Sequence, residues 1–358
     1  MHGTERVRRL PPASVIAVPP DSVGSGAASL ARMTADATLD VVGIGNALVD
    51  VLSHETDEFV AAQGLVKNAM TLVDPDRADE LYAAMGPGIE MSGGSAANTI
   101  AGVASFGGRS AYMGRVFDDQ LGGVFAHDLR AQGVTFENKP ATEGPATGRC
   151  LIVVTPDAHR TMNTCLGASA YFGPDDVDPD LVRGAHVTFL EGYLFDRPES
   201  KEAYWVASEH AQRAGRQVAL TLSDLFCVER HHEDFLPLVR ERVDILFANE
   251  TEACALWGCD EVGAAVERAR AEVAVACITM SEKGSVVVAG PETYEVPAQP
   301  VEVVDTTGAG DLYASGFLYG FTAGLPLARC GELGSLAAAE VISHIGARPE
   351  VPLSTLLA

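Results

Sequence analysis

The stretch 305–311, Asp-Thr-Thr-Gly-Ala-Gly-Asp, brings two glycines and an acid together at a predicted turn. A strand-like run at 301–304 predicts a strand before it, and small and apolar residues at 312–323 predict a helix after it. N–H groups at the start of a helix lack intrahelical acceptors, and the helix dipole favours negative charge beside them. This turn therefore has the composition of an anion-binding site.

An acid in the first turn of that helix, Asp311, has two interpretations. It could be a general base that takes a proton from an alcohol, while the amides of Gly308, Ala309 and Gly310 hold charge on a transferring phosphoryl group. It could equally be an aspartate that caps the helix after a glycine turn. The heptapeptide by itself does not separate these alternatives.

The overall charge limits the partners. The 358 residues include 25 Lys+Arg and 49 Asp+Glu, which gives a formal net charge of -24. Without a basic cluster, this balance argues against nucleic acid and anionic membranes as partners. No apolar run reaches the length of a membrane span. A phosphate ligand would have to be bound by local amides, a metal ion and a few basic side chains.

The cysteines and the two ends of the sequence suggest where the protein is located in the cell and where its domain begins and ends. The seven cysteines are scattered and form no CxxC pair, so we expect reduced thiols and a cytoplasmic protein. Residues 1–38 lack the hydrophobic core of a secretory signal. We expect a disordered leader or a mis-assigned start, with Met33 as an alternative initiator, although a transit peptide stays open. We expect a tail at 351–358 and one domain at 39–350.

The hydrophobic pattern predicts an α/β fold. A buried strand at 39–45 ends in a glycine turn, and strands alternate with helices along much of the chain. This alternation is typical of a doubly wound, mostly parallel sheet with helices on both faces and ligands beyond the strands' C-terminal ends. In the second half we predict strands at 187–190, 217–222, 245–248 and 274–279 and helices at about 198–214, 231–240, 250–257 and 261–271.

One region interrupts this alternation. Two extended runs, at 149–155 and 159–164, are joined by a short turn and predict a hairpin within 140–172. Together with 53–74, this insertion would form a small β lid over the edge of the sheet.

Polar groups that could hold an alcohol substrate follow two predicted elements. Asn46 and Asp50 come after the first strand, and Gly93 and Gly94 open a helix of small residues. Ser95 and Asn98 lie in the first turn of that helix. Carboxylate and amide groups suit the vicinal hydroxyls of a polyol, since each hydroxyl needs a donor and an acceptor when buried. Turn and capping chemistry would also account for each residue separately.

Two further stretches could contact a nucleotide. Asn249 and Glu252 follow a strand, and they form either an N-terminal capping box or a pair that holds a hydrated Mg²⁺ through its waters. The turn at 279–284 provides hydroxyls, an amine and a glycine for phosphates, or else it is a hairpin turn with a solvated lysine. The candidate nucleotide-binding residues are Asn249, Thr279, Ser281, Lys283 and Gly284. A Walker-type loop is absent from the sequence.

Taken together, these motifs resemble a known family. The stretches 93–98 and 305–311 resemble the two signatures of the ribokinase (phosphofructokinase-B) carbohydrate kinase family, in the family's order and separation. The stretch 249–252 resembles its N-x-x-E motif and 279–284 its phosphate-contacting turn. Because four motifs occur in order across 39–350, the resemblance favours the functional interpretation over capping at each of them.

The resemblance implies a ribokinase-like fold and an ATP:alcohol phosphotransferase that uses Mg²⁺. It implies Asp311 as the base, and it places K⁺ near Asp305 and Thr307. Within the family the chain is most similar to adenosine kinases, through 45–50, 220–226 and 247–253. Adenosine is then the expected acceptor, and AMP the expected product.

Some features are left open by the sequence. A fructokinase- or ribokinase-type sugar kinase and a non-catalytic nucleoside or sugar sensor are the alternatives to an adenosine kinase. Phe172, Phe195 and Leu166 are candidates for an apolar surface under the base. Monomer and homodimer are both compatible with the sequence.

Overall fold

The computed structural model describes residues 37–157 and 159–357. The predicted leader at 1–38 lies outside them except for its last two residues. The strands are β1 Leu39–Ile44, β2 Leu48–His54, β3 Met70–Leu72, β4 Gly88–Gly93, β5 Ser110–Met113, β6 Gly148–Val154, β7 Arg160–Cys165, β8 Ala185–Glu191, β9 Gln217–Thr221, β10 Ile245–Asn249, β11 Val275–Thr279, β12 Ser285–Ala289 and β13 Glu292–Val296.

The α-helices fall mostly between these strands. They are α1 Asp57–Ala62, α2 Pro75–Ala84, α3 Ser95–Ser105, α4 Gln120–Ala131, α5 Pro179–Gly184, α6 Pro198–Arg213, α7 Leu225–Arg242, α8 Glu250–Trp257, α9 Val262–Glu272, α10 Ala309–Thr322 and α11 Leu327–Val341. Among the described residues, none of the helices combines the length and the apolar character needed to cross a bilayer.

The larger sheet has eight strands in the order β13-β12-β11-β10-β9-β8-β1-β5. Neighbouring strands from β5 to β11 run parallel, and β12 and β13 complete one edge as an antiparallel pair. Its central strands are buried on both faces, as in β1, where Val41 and Val42 point to opposite sides and are both fully buried. A parallel sheet needs such continuous apolar strands because helices cover both faces.

Two hydrophobic cores lie on the two faces of this sheet. Side chains of α3, α4 and α10 pack with Val41 and Phe247 in one core, and side chains of α6 to α9 pack with Val42 and Leu246 in the other. The predicted fold class, a mostly parallel doubly wound sheet with helices on both faces, is therefore confirmed.

A smaller sheet forms a second layer, with strand order β3-β7-β6-β2-β4. The antiparallel β6–β7 hairpin lies where the sequence predicted it, and β3 adds in parallel to β7. Strands β2 and β4 were not predicted, and they pair antiparallel in the register Leu48 to Gly93. As a result, Asp50 lies within a strand of the small sheet, and Gly93 ends a strand instead of opening a helix.

The sequence patterns at 301–304 and 134–137 each predict a strand, but neither segment forms a strand of the larger sheet. The run at 301–304 is irregular, because Val303 and Val304 are exposed and the Val304 N–H donates to the carbonyl of Ile342 instead of to a neighbouring strand. The run at 134–137 makes a single parallel bridge, between Thr135 and Ala111. Side-chain pattern alone did not reveal that these segments lack a full-length strand partner.

Candidate active site

A cavity of about 820 Å³ lies between the two sheets. Its floor comes from the C-terminal ends of strands in the larger sheet and the start of α10, and its other wall comes from the small sheet. The predicted site residues that line it are Asn46, Asp50, Gly94, Ser95, Asn98, Asn249, Glu252, Thr279, Thr307, Gly308, Ala309, Gly310 and Asp311. The fold thus brings residues from five separate stretches of the sequence to one cavity.

Asp311 lies in the first turn of α10 and faces α3. Its carboxylate accepts hydrogen bonds from Ser95 Oγ at 2.6 Å and from Asn98 Nδ2 at 2.8 Å. Burial raises the pKa of Asp311 above its usual value, and these two hydrogen bonds oppose the rise. Gly308, and not Asp311, occupies the N-cap position of the helix. The carboxylate is thus held by two side chains of another helix, beside the cavity, where it could accept a proton.

The start of α10 is the candidate anion-binding site. Gly308 has φ +79°, which L side chains rarely adopt, and a Cβ there would lie 2.9 Å from atoms of Ala347. Glycine is therefore required for the turn to bring the first N–H groups of the helix toward the cavity. Gly308, Ala309 and Gly310 line the cavity beside Asp311. An oxyanion placed there would meet helix N–H groups and a favourable helix dipole.

Asn46 and Asp50 form another part of the cavity wall. Asn46 follows β1 and is buried, and its Oδ1 accepts a hydrogen bond from Ser169 Oγ at 2.9 Å. Asp50 projects from β2 of the small sheet. Burial raises the pKa of Asp50 to about 6, and the guanidinium groups of Arg160 and Arg348 limit this rise.

An unpaired acceptor lies on the side chain that holds Asp311. Asn98 is buried in α3, and its Oδ1 has no hydrogen-bond partner within the described chain, whereas its Nδ2 is used by Asp311. A buried polar atom without a partner is costly, so such atoms in native proteins call for a ligand, a water or another explanation. A substrate hydroxyl that donates to Asn98 Oδ1 would remove this cost.

Asn249 and Glu252 form the capping box that the sequence suggested. Asn249 Oδ1 accepts from the Glu252 N–H at 2.9 Å, and Glu252 Oε2 accepts from the Asn249 N–H at 2.9 Å. Both residues also line the cavity, so the cap and the candidate site coincide. Burial raises the pKa of Glu252 to about 7, and the nearby Asp224 adds to the rise.

The turn after β11 lies only partly at the cavity. Thr279 lines the cavity, whereas Ser281, Lys283 and Gly284 are not among its lining residues. Lys283 is exposed, and its amine lies 3.8 Å from a carboxylate oxygen of Glu250. A contact between this lysine and a phosphate would therefore require the side chain to change direction.

The carboxylate of Asp305 is engaged by several donors of the protein itself. It forms a buried ion pair with Arg160 of β7, and it accepts hydrogen bonds from the Thr307 N–H and Oγ1 and from the Gly346 N–H. Burial acts to raise the pKa of Asp305, but these partners hold it below its usual value. A potassium ion near Asp305 and Thr307 would have to rely mainly on backbone carbonyls, and this site stays a prediction.

This arrangement agrees with a family assignment. The model of a family described as pfkB family carbohydrate kinase matches residues 57–353, most of the chain. The chain belongs to the pfkB family of carbohydrate kinases. It is therefore a kinase, and ATP is the co-substrate that this family implies.

Solved structures and a curated relative are similar over nearly the whole described chain. The adenosine kinase from Sinorhizobium meliloti is 52% identical with a TM-score of 0.83, covering 89% of this chain and 98% of that chain. A probable sugar kinase from Rhizobium etli CFN 42 is 50% identical with the same TM-score, covering 89% and 98%. Adenosine kinase of Saccharomyces cerevisiae is 28% identical over 332 residues, covering 86% of this chain and 96% of the yeast protein.

Three charged residues of this kinase site were missed by sequence reasoning. Glu191 ends β8 and is almost fully buried, Arg160 pairs with Asp305, and Arg348 donates to the carbonyls of Ala97 and Ser92. Each is a single residue outside any recognisable motif. For Glu191, an acid at the end of an otherwise apolar strand was the one available signal.

The apolar surface proposed for a base is partly wrong. Phe172 and Phe195 are fully buried in the core behind the larger sheet, packed there with other aromatic and aliphatic side chains, and they do not line the kinase cavity. Leu166 does line it, as does Tyr193, whose hydroxyl donates to the carbonyl of Ser223 at 3.3 Å. The small sheet and its edges add further apolar side chains, namely Leu48, Met70, Leu72, Ile152 and Met162.

Proposed function

We propose that this kinase transfers the γ-phosphoryl group of ATP to the primary 5′-hydroxyl of adenosine. The observation that carries the proposal is the combination of two surfaces around one part of the cavity. Asn46, Asp50 and Asn98 offer polar groups for ribose hydroxyls, whereas the small sheet offers apolar side chains beside them. A nucleoside has one polar and one apolar half, and a free sugar would leave the apolar surface facing its hydroxyls.

Within this proposal, Asp311 accepts the proton of the 5′-hydroxyl as that oxygen attacks the γ-phosphorus. The bond from phosphorus to the β,γ-bridging oxygen breaks, and ADP leaves with the electron pair. The N–H groups at the start of α10 stabilise the charge on the transferring group, since donors fixed in place need no reorganisation during the reaction. Asn98 and Ser95 hold Asp311 in position for the proton.

Magnesium fits this site through water. Among the described residues, no group of three or more His, Cys, Asp and Glu side chains could hold a metal ion directly. Glu252 and Asn249 are instead engaged with each other, so they would contact the waters of an ion that arrives on the ATP phosphates. When bound, Mg²⁺ neutralises phosphate charge. The position of buried Glu252 at the cavity gives that hydrated ion a nearby negative partner.

Location follows from the same chemistry. All seven cysteines lie within the described residues and are free thiols. Free buried thiols and a reaction that consumes ATP both support a cytoplasmic enzyme of purine salvage.

A free-sugar kinase is the second candidate, because the Rhizobium etli relative is described as a probable sugar kinase. A coupled assay of ADP release separates the two. We expect adenosine to exceed fructose and ribose in kcat/KM, since neither sugar fills the apolar part of the cavity. A higher kcat/KM for a hexose or a pentose would leave the assignment as a kinase intact but would exclude adenosine as the preferred acceptor.

The second expected result concerns one hydroxyl. 2′-Deoxyadenosine should have a kcat/KM at least about tenfold below that of adenosine, because a missing donor leaves a buried acceptor unpaired at a cost of about 1–3 kcal/mol. The same comparison in Asp50→Asn serves as the control, since a weakened acceptor should discriminate less between the two nucleosides. Equal values for both nucleosides in the unmodified enzyme would argue against ribose recognition by Asp50.

The small sheet is expected to close over the acceptor. The cavity lies between the two sheets, and water must be kept from accepting the phosphoryl group. Hydrogen exchange within 53–74 and 140–172 should slow when adenosine is added, and exchange in α9, on the far side of the sheet, should not change. Slower exchange around 305–311 alone would contradict closure.

A further inference from the structure

Glu191 lies between three elements of the acceptor site. It is about 1% exposed at the end of β8, and it lines the cavity. Its Oε1 accepts from the Asn46 N–H at 3.1 Å and from Asn46 Nδ2 at 2.8 Å. Its Oε2 accepts from the Ala96 N–H at 2.7 Å, at the start of α3. One carboxylate thus joins the turn after β1 to the helix that carries Ser95 and Asn98.

The partners of this carboxylate are all donors, two from main-chain N–H groups and one from an amide side chain. A main-chain N–H cannot become an acceptor, so each oxygen must accept. A glutamine would place its NH₂ group against at least one N–H donor, and a protonated glutamate would place its O–H there. The ionised carboxylate is therefore the one form of this side chain that satisfies the whole set.

Among the residues that the structure describes, no Lys, Arg or His side chain forms an ion pair with Glu191. The hydroxyl of Tyr204 on α6 bonds the main chain of Glu191, and its other titratable neighbours include Tyr112 on β5, Cys227 on α7 and Asp311 on α10. Burial raises the pKa of Glu191 to about 7, and the hydrogen bonds from Ala96 and Asn46 oppose the rise. The cost of burying this acid is thus offset by its three hydrogen bonds and not by a counter-cation.

We propose that Glu191 is a positioning residue for the acceptor, which acts by fixing the Asn46 side chain relative to the start of α3. It directs the Asn46 amide toward the cavity, and it keeps Ser95 and Asn98 aligned with Asp311. The inference rests on the proposed role of Asn46 in holding the acceptor.

The experiment compares Glu191→Gln with Glu252→Gln, a matched change of another buried glutamate that lines the same cavity. Glu191→Gln should raise the KM for adenosine at least about tenfold and leave the KM for ATP within about twofold. Glu252→Gln should instead affect the KM for ATP. Glu191→Asp keeps the charge, so its KM for adenosine should lie between those of the unmodified enzyme and Glu191→Gln. It also replaces Glu191→Gln in the test if the glutamine variant folds poorly.

A double-mutant cycle with Asn46→Ala tests how Glu191 acts. If it acts through Asn46, the KM of the double variant should stay close to that of Asn46→Ala alone. Multiplication of the two single effects would mean that Glu191 acts independently of Asn46, and the proposal would be overturned. An unchanged adenosine KM in Glu191→Gln would overturn it as well.

Amide exchange separates this proposal from the choice of acceptor, because it needs no substrate. In Glu191→Gln at least one of the N–H groups of Asn46 and Ala96 should exchange about tenfold faster or more, while that of Ile100 in the middle of α3 stays protected. Unchanged exchange at both amides contradicts the positioning role, whatever the kinase phosphorylates. Faster exchange with no turnover of adenosine would support the positioning role of Glu191 and reject adenosine as the acceptor.

Discussion

Asp311→Asn should lower kcat by at least ~10²-fold, the loss expected for a general base, and leave adenosine binding nearly unchanged. The amide keeps the shape of the carboxylate but cannot take the proton of the attacking hydroxyl. The fold should accept it, because Ser95 can still donate to the remaining oxygen. The Asn98 amide can rotate so that its Oδ1, in place of the Nδ2 that donates to Asp311, accepts from the new NH₂ group. Single-turnover assays and adenosine titration measure the two quantities.

The same substitution should not lower stability. Burial raises the pKa of Asp311 in the folded protein, so ionisation of this carboxyl group costs more there than in the unfolded chain, and removing the charge removes that cost. Asp76→Asn is the matched control, since Asp76 is an exposed acid in the first turn of α2. It should retain normal kcat. A well-folded Asp311→Asn enzyme with near-normal kcat would refute the assignment of Asp311 as the base.

Gly94→Ala should reduce the kcat/KM for the acceptor by roughly 100-fold, the second-largest expected effect. Gly94 has φ +93°, and its added Cβ would lie 2.3 Å from the carbonyl oxygen of Asn46. That oxygen belongs to the main chain, so relief requires the turn after β1 or the start of α3 to move. Either movement displaces Asn46 or Ser95 from the acceptor, and thermal unfolding should show a lower Tm.

Gly107→Ala separates the clash from the backbone conformation. Gly107 has φ +97°, close to that of Gly94, but a Cβ there would meet no atom of the described residues within 4 Å. This variant should lose roughly 1–2 kcal/mol of stability from the left-handed conformation and keep its acceptor kcat/KM. If both alanine variants lose acceptor kcat/KM equally, the contact with Asn46 is not what makes Gly94 necessary.

The sequence by itself determined the parts that depend on local pattern. The apolar strands and intervening helices predicted the mostly parallel sheet, and two glycines before Asp311 predicted a helix start with an acid in its first turn. Asn249 and Glu252 form the capping box that their spacing of three indicated. These features are encoded within a few residues, because helix and strand periods, caps and glycine turns are local properties.

The tertiary structure decided which distant groups meet. Strand β2 pairs with β4 and β6, so Asp50 belongs to the small sheet, and no pattern around Asp50 indicated those partners. Likewise, the sequence suggested Phe195 as an aromatic side chain that could face the base. In the folded protein it packs in the core behind the larger sheet.

The charged residues around the cavity show the same limit most clearly. Asp311 belongs to a recognisable motif, but nothing in that motif indicated that Arg348 lies near it. Asp305, in the same motif, is paired with Arg160, which is 145 positions away. Glu191 meets Asn46 from a comparable separation, also 145 positions. A single charged residue has no period and no motif, so its partner is set by how the sheets and helices pack and by the requirement that a buried charge be hydrogen-bonded.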